Sequence, residues 1–303
     1  MACGPPGDSV PRFREDQAAG LRRLLGRRQA RVVTFVAGSV GVGKSVLVAN
    51  LAAALARQGR QVLVVDENTD DGIAASYGAF AATDLQQVIN REKSLSEVVL
   101  SLAPGIRAVP AATLVRQLAT FGQAEQSILL DCFREMGQPA DVVLVDASLD
   151  HPLGFSPLGL AAQETVIVVS PGMQAITEAY ALIKKVSLGY SRRHFRLLVN
   201  RARAAAEARA IYENMEQVSR SRRLARLDYA GYVPFDDHLR QAFRLCQPVA
   251  GLFPESPAAR ACHRVASEVL NWPADDDVVG GLEHFVQQLL HLSHRIDPAA
   301  IYA

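Results

Sequence analysis

The sequence of 303 residues lacks the features that mark membrane-spanning, secreted or zinc-cluster proteins. No apolar run approaches the roughly 18 residues of a membrane span, and no hydrophobic signal core lies near the N-terminus. The four cysteines are far apart and form no C-x-x-C pair, which argues against a disulfide framework or a cysteine zinc site. These absences predict a cytoplasmic protein. The cysteines are Cys3, Cys132, Cys246 and Cys262.

The chain also lacks an excess of charge of either sign. Lys and Arg total 32 and Asp and Glu total 31, so the net charge of +1 gives no overall field that would attract nucleic acid. One stretch is nevertheless crowded with arginines, which form either a solvated face or a basic patch for acidic lipid, nucleic acid or a partner. These arginines are Arg192, Arg193, Arg196, Arg201, Arg203, Arg209, Arg220, Arg222, Arg223 and Arg226.

A phosphate-binding loop is the most informative motif that is present. Residues 38–45 read Gly-Ser-Val-Gly-Val-Gly-Lys-Ser, a complete G-x-x-x-x-G-K-[ST] pattern between an apolar run and a helical segment. Gly38, Gly41, Val42 and Gly43 would turn backbone N–H groups toward phosphate oxygens at the start of a helix. Lys44 would reach the outer phosphates and Ser45 would bind Mg²⁺. The alternative is a glycine-rich turn without a ligand, which the flanking strand and helix disfavour.

Strand and helix patterns alternate along the chain and predict an α/β fold. We expect one doubly wound, mostly parallel sheet flanked by helices, with the ligand at the carboxyl ends of the strands. The predicted strands are 31–37, 61–66, 106–110, 141–146, 165–170, 195–200 and 228–233. The predicted helices are 44–58, 83–101, 123–137, 174–189, 204–223, 237–246, 256–271 and 280–295.

Two aspartates end apolar strands, where side chains of a parallel sheet reach a bound phosphate. Asp146 follows Val-Val-Leu-Val and has the position of a Walker B carboxylate, which would hold Mg²⁺ in part through water. Asp66 follows Val-Leu-Val-Val and can serve the same zone. A role for each as a helix cap or turn former is the alternative.

At this point the sequence resembles a known family, the deviant-Walker ATPases of the MinD/ParA class. Within that class it is most similar to the flagellar number and placement regulators called FlhG or FleN. The resemblance lies in the loop, the two aspartates and Asn200-Arg201, together with three longer stretches. These stretches are Asp16-Gln-Ala-Ala-Gly-Leu-Arg22, Ile176-Thr-Glu-Ala-Tyr-Ala-Leu-Ile-Lys184 and the segment 247–260 with its Ser-Pro-Ala-Ala-Arg ending.

The resemblance implies further site residues around ATP or ADP and Mg²⁺. Asn200, with Arg201 beside it, would read the adenine edge, and Pro234-Phe235-Asp236 would line the base pocket. Taken without the family, Asn200 is a polar residue that ends an apolar strand, and a turn-forming role competes with the binding role.

The chain departs from the family at positions that matter for hydrolysis. The family's first loop lysine is Ser39 here, and a hydroxyl supplies no positive charge to the γ-phosphate. The family's second strand-end carboxylate is Asn68, which can hydrogen-bond a water but cannot take its proton. The glycine-containing switch expected after Asp146 is replaced by Ala147-Ser-Leu-Asp150. We therefore expect either a slow ATPase or a nucleotide-binding pseudo-ATPase, and these positions do not decide between them.

The predicted domains are a disordered tail (1–13), an N-terminal partner-binding helix (14–28), the ATPase domain (29–255) and C-terminal helices (256–303). In helix 280–295 an apolar stripe runs from Leu282 to Leu290, which fits either docking on the core or a membrane-surface helix. The resemblance implies that the N-terminal motif binds an FlhF-type GTPase and stimulates its GTP hydrolysis. Its matching residues are Asp16, Gln17, Ala18, Leu21 and Arg22.

The resemblance thus predicts a regulator of flagellar number or placement that forms a nucleotide-linked homodimer. A flagellar transcription regulator or a switch-complex protein is a further candidate partner, and the location would be cytoplasmic or peripheral to the inner membrane at the cell pole. Two alternatives stay open. One is a non-hydrolysing adaptor that acts through residues 16–25 and the basic stretch. The other is a ParA-like DNA-binding partition ATPase, which would use the arginines from Arg192 to Arg226 and predicts salt-sensitive DNA binding, whereas the terminal motifs favour the flagellar regulator.

Overall fold

A computed structural model describes residues 30–68, 72–136, 140–149, 151, 155–273 and 281–295. The predictions for segments 1–13 and 14–28 concern residues outside these ranges. The strands are β1 (Arg31–Ala37), β2 (Val62–Asp66), β3 (Leu100–Ala103), β4 (Ile106–Pro110), β5 (Val142–Asp146), β6 (Glu164–Val169), β7 (His194–Ala202) and β8 (Arg226–Pro234).

The α-helices in this part of the chain are of very different lengths. They are α1 (Lys44–Arg57), α2 (Gln86–Ile89), α3 (Leu95–Val98), α4 (Ala112–Gln117), α5 (Gln123–Met136), α6 (Leu158–Ala161), α7 (Met173–Tyr190), α8 (Ala205–Ser221), α9 (Asp237–Arg244), α10 (Val249–Leu252), α11 (Pro257–Asn271) and α12 (Leu282–Arg295). Two 3₁₀ helices occupy Ile73–Tyr77 and Leu118–Thr120.

The described strands form one sheet in the order β3-β4-β2-β5-β1-β6-β7-β8. β3 pairs with β4 in antiparallel orientation, and the other neighbouring strands are parallel. The prediction of a doubly wound, mostly parallel sheet is confirmed. Every residue of β2 and β5 is buried, because helices cover the sheet on both faces and the branched side chains pack in both directions.

Side-chain alternation along the strands separates two layers. On one face α1 and α11 pack side by side against residues such as Val64 and Leu144. On the other face α4, α5 and α12 cover the β4-to-β1 part of the sheet, and α7 and α8 cover β6 to β8. The carboxyl ends of β1, β2 and β5 meet in the middle of the sheet, and α1 begins there.

The apolar stripe of the last helix faces the core. Leu282, Phe285, Val286, Leu289 and Leu290 are all buried in one cluster with α5 and α6. Of the two readings that the sequence left open for this helix, the structure shows docking on the body of the protein. Because α11 and α12 share the cores of the sheet, the packing continues across the predicted domain boundary at residue 255.

The prediction of one helix over 83–101 is wrong. The segment contains α2, α3 and the edge strand β3 instead. Arg91 has a left-handed φ of 61°, which ends the first helix, and the Ser94–Glu97 capping box starts the second. Residues 100–103 then pair with β4, so tertiary strand pairing overrides the local helical pattern.

No helix among the described residues is long and apolar enough to cross a bilayer.

Candidate functional site

The loop between β1 and α1 is a cradle of unused backbone donors. Within the described residues, none of the N–H groups from Val40 to Val46 donates a hydrogen bond, and regular helical bonding outside the loop begins with the Leu47 N–H. Gly41 and Gly43 have φ values of 76° and 81°, a left-handed backbone that glycine adopts without strain. Unpaired N–H groups at a helix start attract an anion, so the loop has the donors that a phosphate group requires.

Packing explains two of the glycines. A Cβ on Gly38 would lie 2.3 Å from the Ala179 backbone nitrogen, so α7 could not pack this closely against the loop. A Cβ on Gly43 would lie 2.8 Å from the Asn200 side-chain nitrogen. The loop is therefore held between α7 on one side and the end of β7 on the other.

Lys44, Asp66 and Asp146 come together where α1 begins, as the motifs predict. Asp66 and Asp146 are register partners at the ends of β2 and β5, and both are buried. The Lys44 ammonium forms an ion pair with Asp146 Oδ1. The site thus has its lysine neutralised by the Walker B aspartate, and a bound phosphate would have to compete for that lysine.

Asn68 bridges the two carboxylates. Its Nδ2 donates to Asp66 Oδ1 at 2.9 Å and to Asp146 Oδ2 at 2.8 Å. An aspartate at this position would add a third carboxylate where the structure has a donor. Asn68 therefore stabilises the two carboxylates. Its amide cannot act as a general base that takes a proton from an attacking water.

Burial and mutual repulsion change the ionisation of this pair. The pKa of Asp66 is raised to about 6, first because the carboxyl is buried and second because Asp146 is close. Hydrogen bonds from Asn68 and from the Ile73 N–H, at 2.6 Å, oppose the rise. A Cβ on residue 72 would lie 2.3 Å from Asp66 Oδ2. A glycine at this position therefore lets the backbone approach closely enough for the Ile73 N–H to donate to Asp66.

Glu67 is a buried acid whose role the sequence analysis missed. It follows Asp66 and therefore faces the opposite side of the sheet, toward the loop after β5. Its Oε2 accepts from the Ser148 N–H at 2.8 Å, and the Ser156 hydroxyl is a further partner. Burial raises the pKa of Glu67 to about 7 against these hydrogen bonds. The Glu67 carboxyl group thus links the end of β2 to Ser148 and Ser156. No sequence pattern predicts contacts between residues so far apart in the chain.

Asn200 and Arg201 hold the phosphate loop. Asn200 Nδ2 donates to the Val42 carbonyl at 2.8 Å, and Arg201 Nη1 donates to the Gly41 carbonyl at 2.8 Å. Asn200 Oδ1 is buried and has no hydrogen-bond partner among the described residues. The two residues lie beside the loop as predicted, and the free Oδ1 is an acceptor that an amino group could use.

The remaining predicted residues lie around this centre in different environments. The Ser39 hydroxyl is buried and unpartnered within the described part of the chain. Pro234 ends β8, and Asp236 caps α9 by accepting from the His238 N–H at 2.9 Å. Asp236 Oδ2 also accepts from the Ala258 N–H at 2.9 Å, so its carboxylate ties α11 to α9.

The arginines of residues 192–226 do not form one basic face. Arg196 is buried, pairs with Glu164 at 2.8 Å and stacks on Trp272 at 4.2 Å. Most of the others have local partners. Arg201 binds Gly41, Arg209 pairs with Glu213, Arg220 with Glu216 and Arg226 with Asp228. Arg193 and Arg226 nevertheless lie side by side at the starts of β7 and β8, where the Arg226 N–H donates to the Arg193 carbonyl at 2.7 Å. The structure thus pairs part of the cluster and leaves its exposed arginines at this end of the sheet.

Comparison with known proteins now decides the family. The family model described as the CobQ/CobB/MinD/ParA nucleotide binding domain matches residues 33–248, which include the loop, both aspartates and Asn200. The chain belongs to the MinD/ParA family. Antiactivator FleN of Pseudomonas aeruginosa is 31% identical over 273 residues, which cover 89% of this chain and 97% of that protein. The resemblance to the FlhG/FleN-like branch is confirmed.

Other relatives agree with this assignment. The flagellum site-determining protein YlxH of Helicobacter pylori is 27% identical over 86% of this chain and 90% of its own length. The structure of MinD complexed with Mg-ADP from Pyrococcus horikoshii has a TM-score of 0.61 at 19% identity, and covers 79% of this chain and 96% of that one. At that identity the likeness shows the fold, which is the fold of the MinD/ParA family.

Proposed function

We propose that this MinD/ParA-family chain is an ATP-binding regulator of flagellar number or placement whose own hydrolysis is slow. The observation that carries the proposal is that the N–H groups from Val40 to Val46 donate no hydrogen bond within the described residues and lie beside Lys44, Asp66 and Asp146. It occurs in a chain that matches FleN and YlxH over most of their lengths. The first of these relatives is named an antiactivator, and the second a flagellum site-determining protein.

The donor set fits a nucleotide with Mg²⁺. The free N–H groups and Lys44 would hold the phosphates, and the unpaired Asn200 Oδ1 would accept from the adenine amino group. Ser45, Asp66 and Asp146 are the candidate Mg²⁺ residues. No group of three or more His, Cys, Asp or Glu in the described residues could hold a metal ion. Mg²⁺ commonly combines one or two carboxylates with substrate phosphates and water, and it would neutralise phosphate charge at this site.

Slow hydrolysis is proposed from the contacts of Asn68 and from the uncharged side chain of Ser39. The amide of Asn68 is committed to the two aspartates, so no side chain at this position can take a proton from water. Ser39 contributes a neutral hydroxyl where a cation would stabilise the charge of the transition state. A non-hydrolysing adaptor is the second candidate, and the same two residues favour it. Measured ATP turnover, alone and with lipid or a GTPase partner, separates the two.

The outputs of the nucleotide state are proposed from exposed surfaces. Val40, Met173 and Phe235 are 86%, 82% and 53% exposed around the carboxyl edge of the sheet, which supports a homodimer formed over the nucleotide. Membrane contact by α12 would require the helix to leave the core. Each of its buried apolar side chains contributes about 1.5–3 kcal/mol, so release needs a surface that receives the same face.

The partner proposals rest on sequence alone. The motif at residues 16–22 would bind an FlhF-type GTPase, and a flagellar transcription regulator or switch-complex protein is the further candidate. DNA binding of the ParA type is the weaker hypothesis, because several of the arginines that would have carried it pair with acidic side chains.

The proposal is tested by titrating fluorescent ATP and ADP into three variants. Lys44→Ala should abolish binding, and Ser45→Ala should remove the Mg²⁺-dependent part of the affinity. Lys184→Ala, at an exposed position of α7, is the matched control. Because Lys44→Ala also leaves Asp146 buried without its cation, circular dichroism must show that it is folded. Unchanged affinity in a folded Lys44→Ala protein would refute the assignment of the loop.

A further inference from the structure

A second, basic cleft lies on the same face of the sheet as α1, away from the phosphate loop. Its volume is about 370 Å³, and it is formed by the last turns of α1, the α10 segment and the first half of α11. Three of the side chains that line the cleft are small, namely Ala54, Ala250 and Ala259. Arg57, the last residue of α1, also lines the cleft. At a rise of 1.5 Å per residue it lies about 20 Å along the helix axis from Lys44, at the other end of α1.

The charge of this cleft is unbalanced. Arg57, Arg260 and Arg264 line it with His263, and the single acid in its lining is Glu255. Arg260 approaches Glu255 at 3.9 Å, and both side chains are more than half exposed, so the pair contributes little. Neither Arg57 nor Arg264 forms an ion pair with any described residue. This contrasts with the arginines of residues 192–226, most of which have partners.

The shape and chemistry of the cleft favour an acidic peptide over other anions. Guanidinium groups bind carboxylates in fixed, two-point geometry, and the three alanines with Pro254 offer apolar contact to a peptide backbone. No Phe, Tyr or Trp lines the cleft, so it lacks a platform for stacking bases. A single small phosphate is disfavoured, because the cations are exposed and the N–H groups of Ala258 and Ala259 at the start of α11 already donate to Asp236 and Ser256.

Both walls of the cleft are tied to the nucleotide site. The buried Asn50 of α1 donates to the Val46 carbonyl at 2.7 Å and accepts from the Val249 N–H at 2.7 Å. The start of α11 is held by Asp236, which accepts from the Ala258 N–H. A ligand that moves these walls would displace α1, which begins at the phosphate loop, and α11, whose start is bonded to Asp236 just after β8. Coupling between two sites acts in both directions.

We propose that the cleft between α1 and α11 is a docking site for an acidic, carboxylate-bearing peptide segment of a partner protein. The proposal does not depend on the nucleotide site, because the cleft's own charges carry it.

The test is a fluorescence anisotropy titration of a labelled peptide of alternating glutamate and alanine, at low and at physiological salt. The variants are the triple Arg57→Ala/Arg260→Ala/Arg264→Ala and the single charge reversal Arg264→Glu. The control triple is Arg209→Ala/Arg220→Ala/Arg240→Ala, whose arginines are exposed and have acidic partners within four residues. Both triple variants lower the net charge by the same amount. A difference in affinity between them therefore cannot come from the overall charge of the protein.

The expected result is saturable binding that the cleft triple weakens by about tenfold or more, which corresponds to about 1.4 kcal/mol or more for the three cations together. Arg264→Glu should weaken it as well, and the control triple should stay within about twofold. Mg·ADP titrations on the same proteins report the nucleotide site separately. The proposal is overturned if both triples lose affinity equally, if a glutamine–alanine peptide binds as well, or if no saturable binding occurs. Tighter binding to duplex DNA or anionic vesicles of matched charge would also overturn it.

Discussion

Glu67 gives a sharp prediction, because its burial implies an energetic cost that depends on pH. Its pKa is raised from 4.5 to about 7 in the folded protein. Between these values the folded state keeps a proton that the unfolded chain has lost, so stability falls as the pH rises through this window. Above pH 7 the full cost is present. A difference of about 2.5 units at 1.36 kcal/mol per unit corresponds to about 3 kcal/mol.

Glu67→Gln removes the ionisation and keeps an acceptor for the Ser148 N–H. We expect the variant to be more stable than the wild type by up to about 3 kcal/mol near pH 8.5, and by less than about 1 kcal/mol near pH 5. Urea unfolding can be followed by the fluorescence of Trp272, the single tryptophan, which is buried.

The control is Glu213→Gln, an exposed acid that pairs with Arg209 and should change stability by less than about 0.5 kcal/mol at either pH. The reasoning is refuted if Glu67→Gln has the same effect at both pH values, or if it destabilises the protein most at the higher pH. Either result would mean that the hydrogen bonds from Ser148 and Ser156 stabilise the Glu67 carboxylate by at least as much as its burial destabilises it.

Three further substitutions test other parts of the account. Phe285→Ala should lower the free energy of unfolding by about 3–5 kcal/mol, because the ring is buried where α12 meets α5, and a Gln287→Ala control in the same urea experiment should not. Gly38→Ala should cost about 1–3 kcal/mol or more, measured by thermal unfolding, since its Cβ would overlap the α7 backbone. Asn68→Asp should destabilise the protein without metal above pH 7, and Mg·ADP should restore stability; a variant as stable as the wild type without metal would contradict the bridging role of Asn68.

The sheet could be predicted well from the sequence, because most of its strands are continuous apolar runs. β1 and β4 have the predicted bounds, and the other predicted strands differ by at most two residues at either end. Their apolar runs are long enough to stand out where both faces of a strand are buried. The edge strand β3 was missed, because its residues are partly exposed and its pairing with β4 is a tertiary contact.

The site was predictable to the extent that chain order fixes it. A motif between strand and helix, together with acids at the ends of neighbouring strands, brings Lys44, Asp66 and Asp146 together by topology alone. The hydrogen bonds of Asn68, the clamp of Glu67 on the loop after β5 and the unpaired Asn200 Oδ1 depend on side-chain directions across several strands. No spacing in the sequence encodes these directions.

The central claim is that the free backbone N–H groups of residues 40–46, with Lys44, bind the phosphates of a nucleotide. Isothermal titration calorimetry of the wild-type protein with ATP and with ADP, in the presence of Mg²⁺, tests it directly. The account predicts saturable heat with a stoichiometry of about one nucleotide per chain for both ligands. No detectable heat with either nucleotide, from protein that unfolds cooperatively in the same buffer, would contradict it.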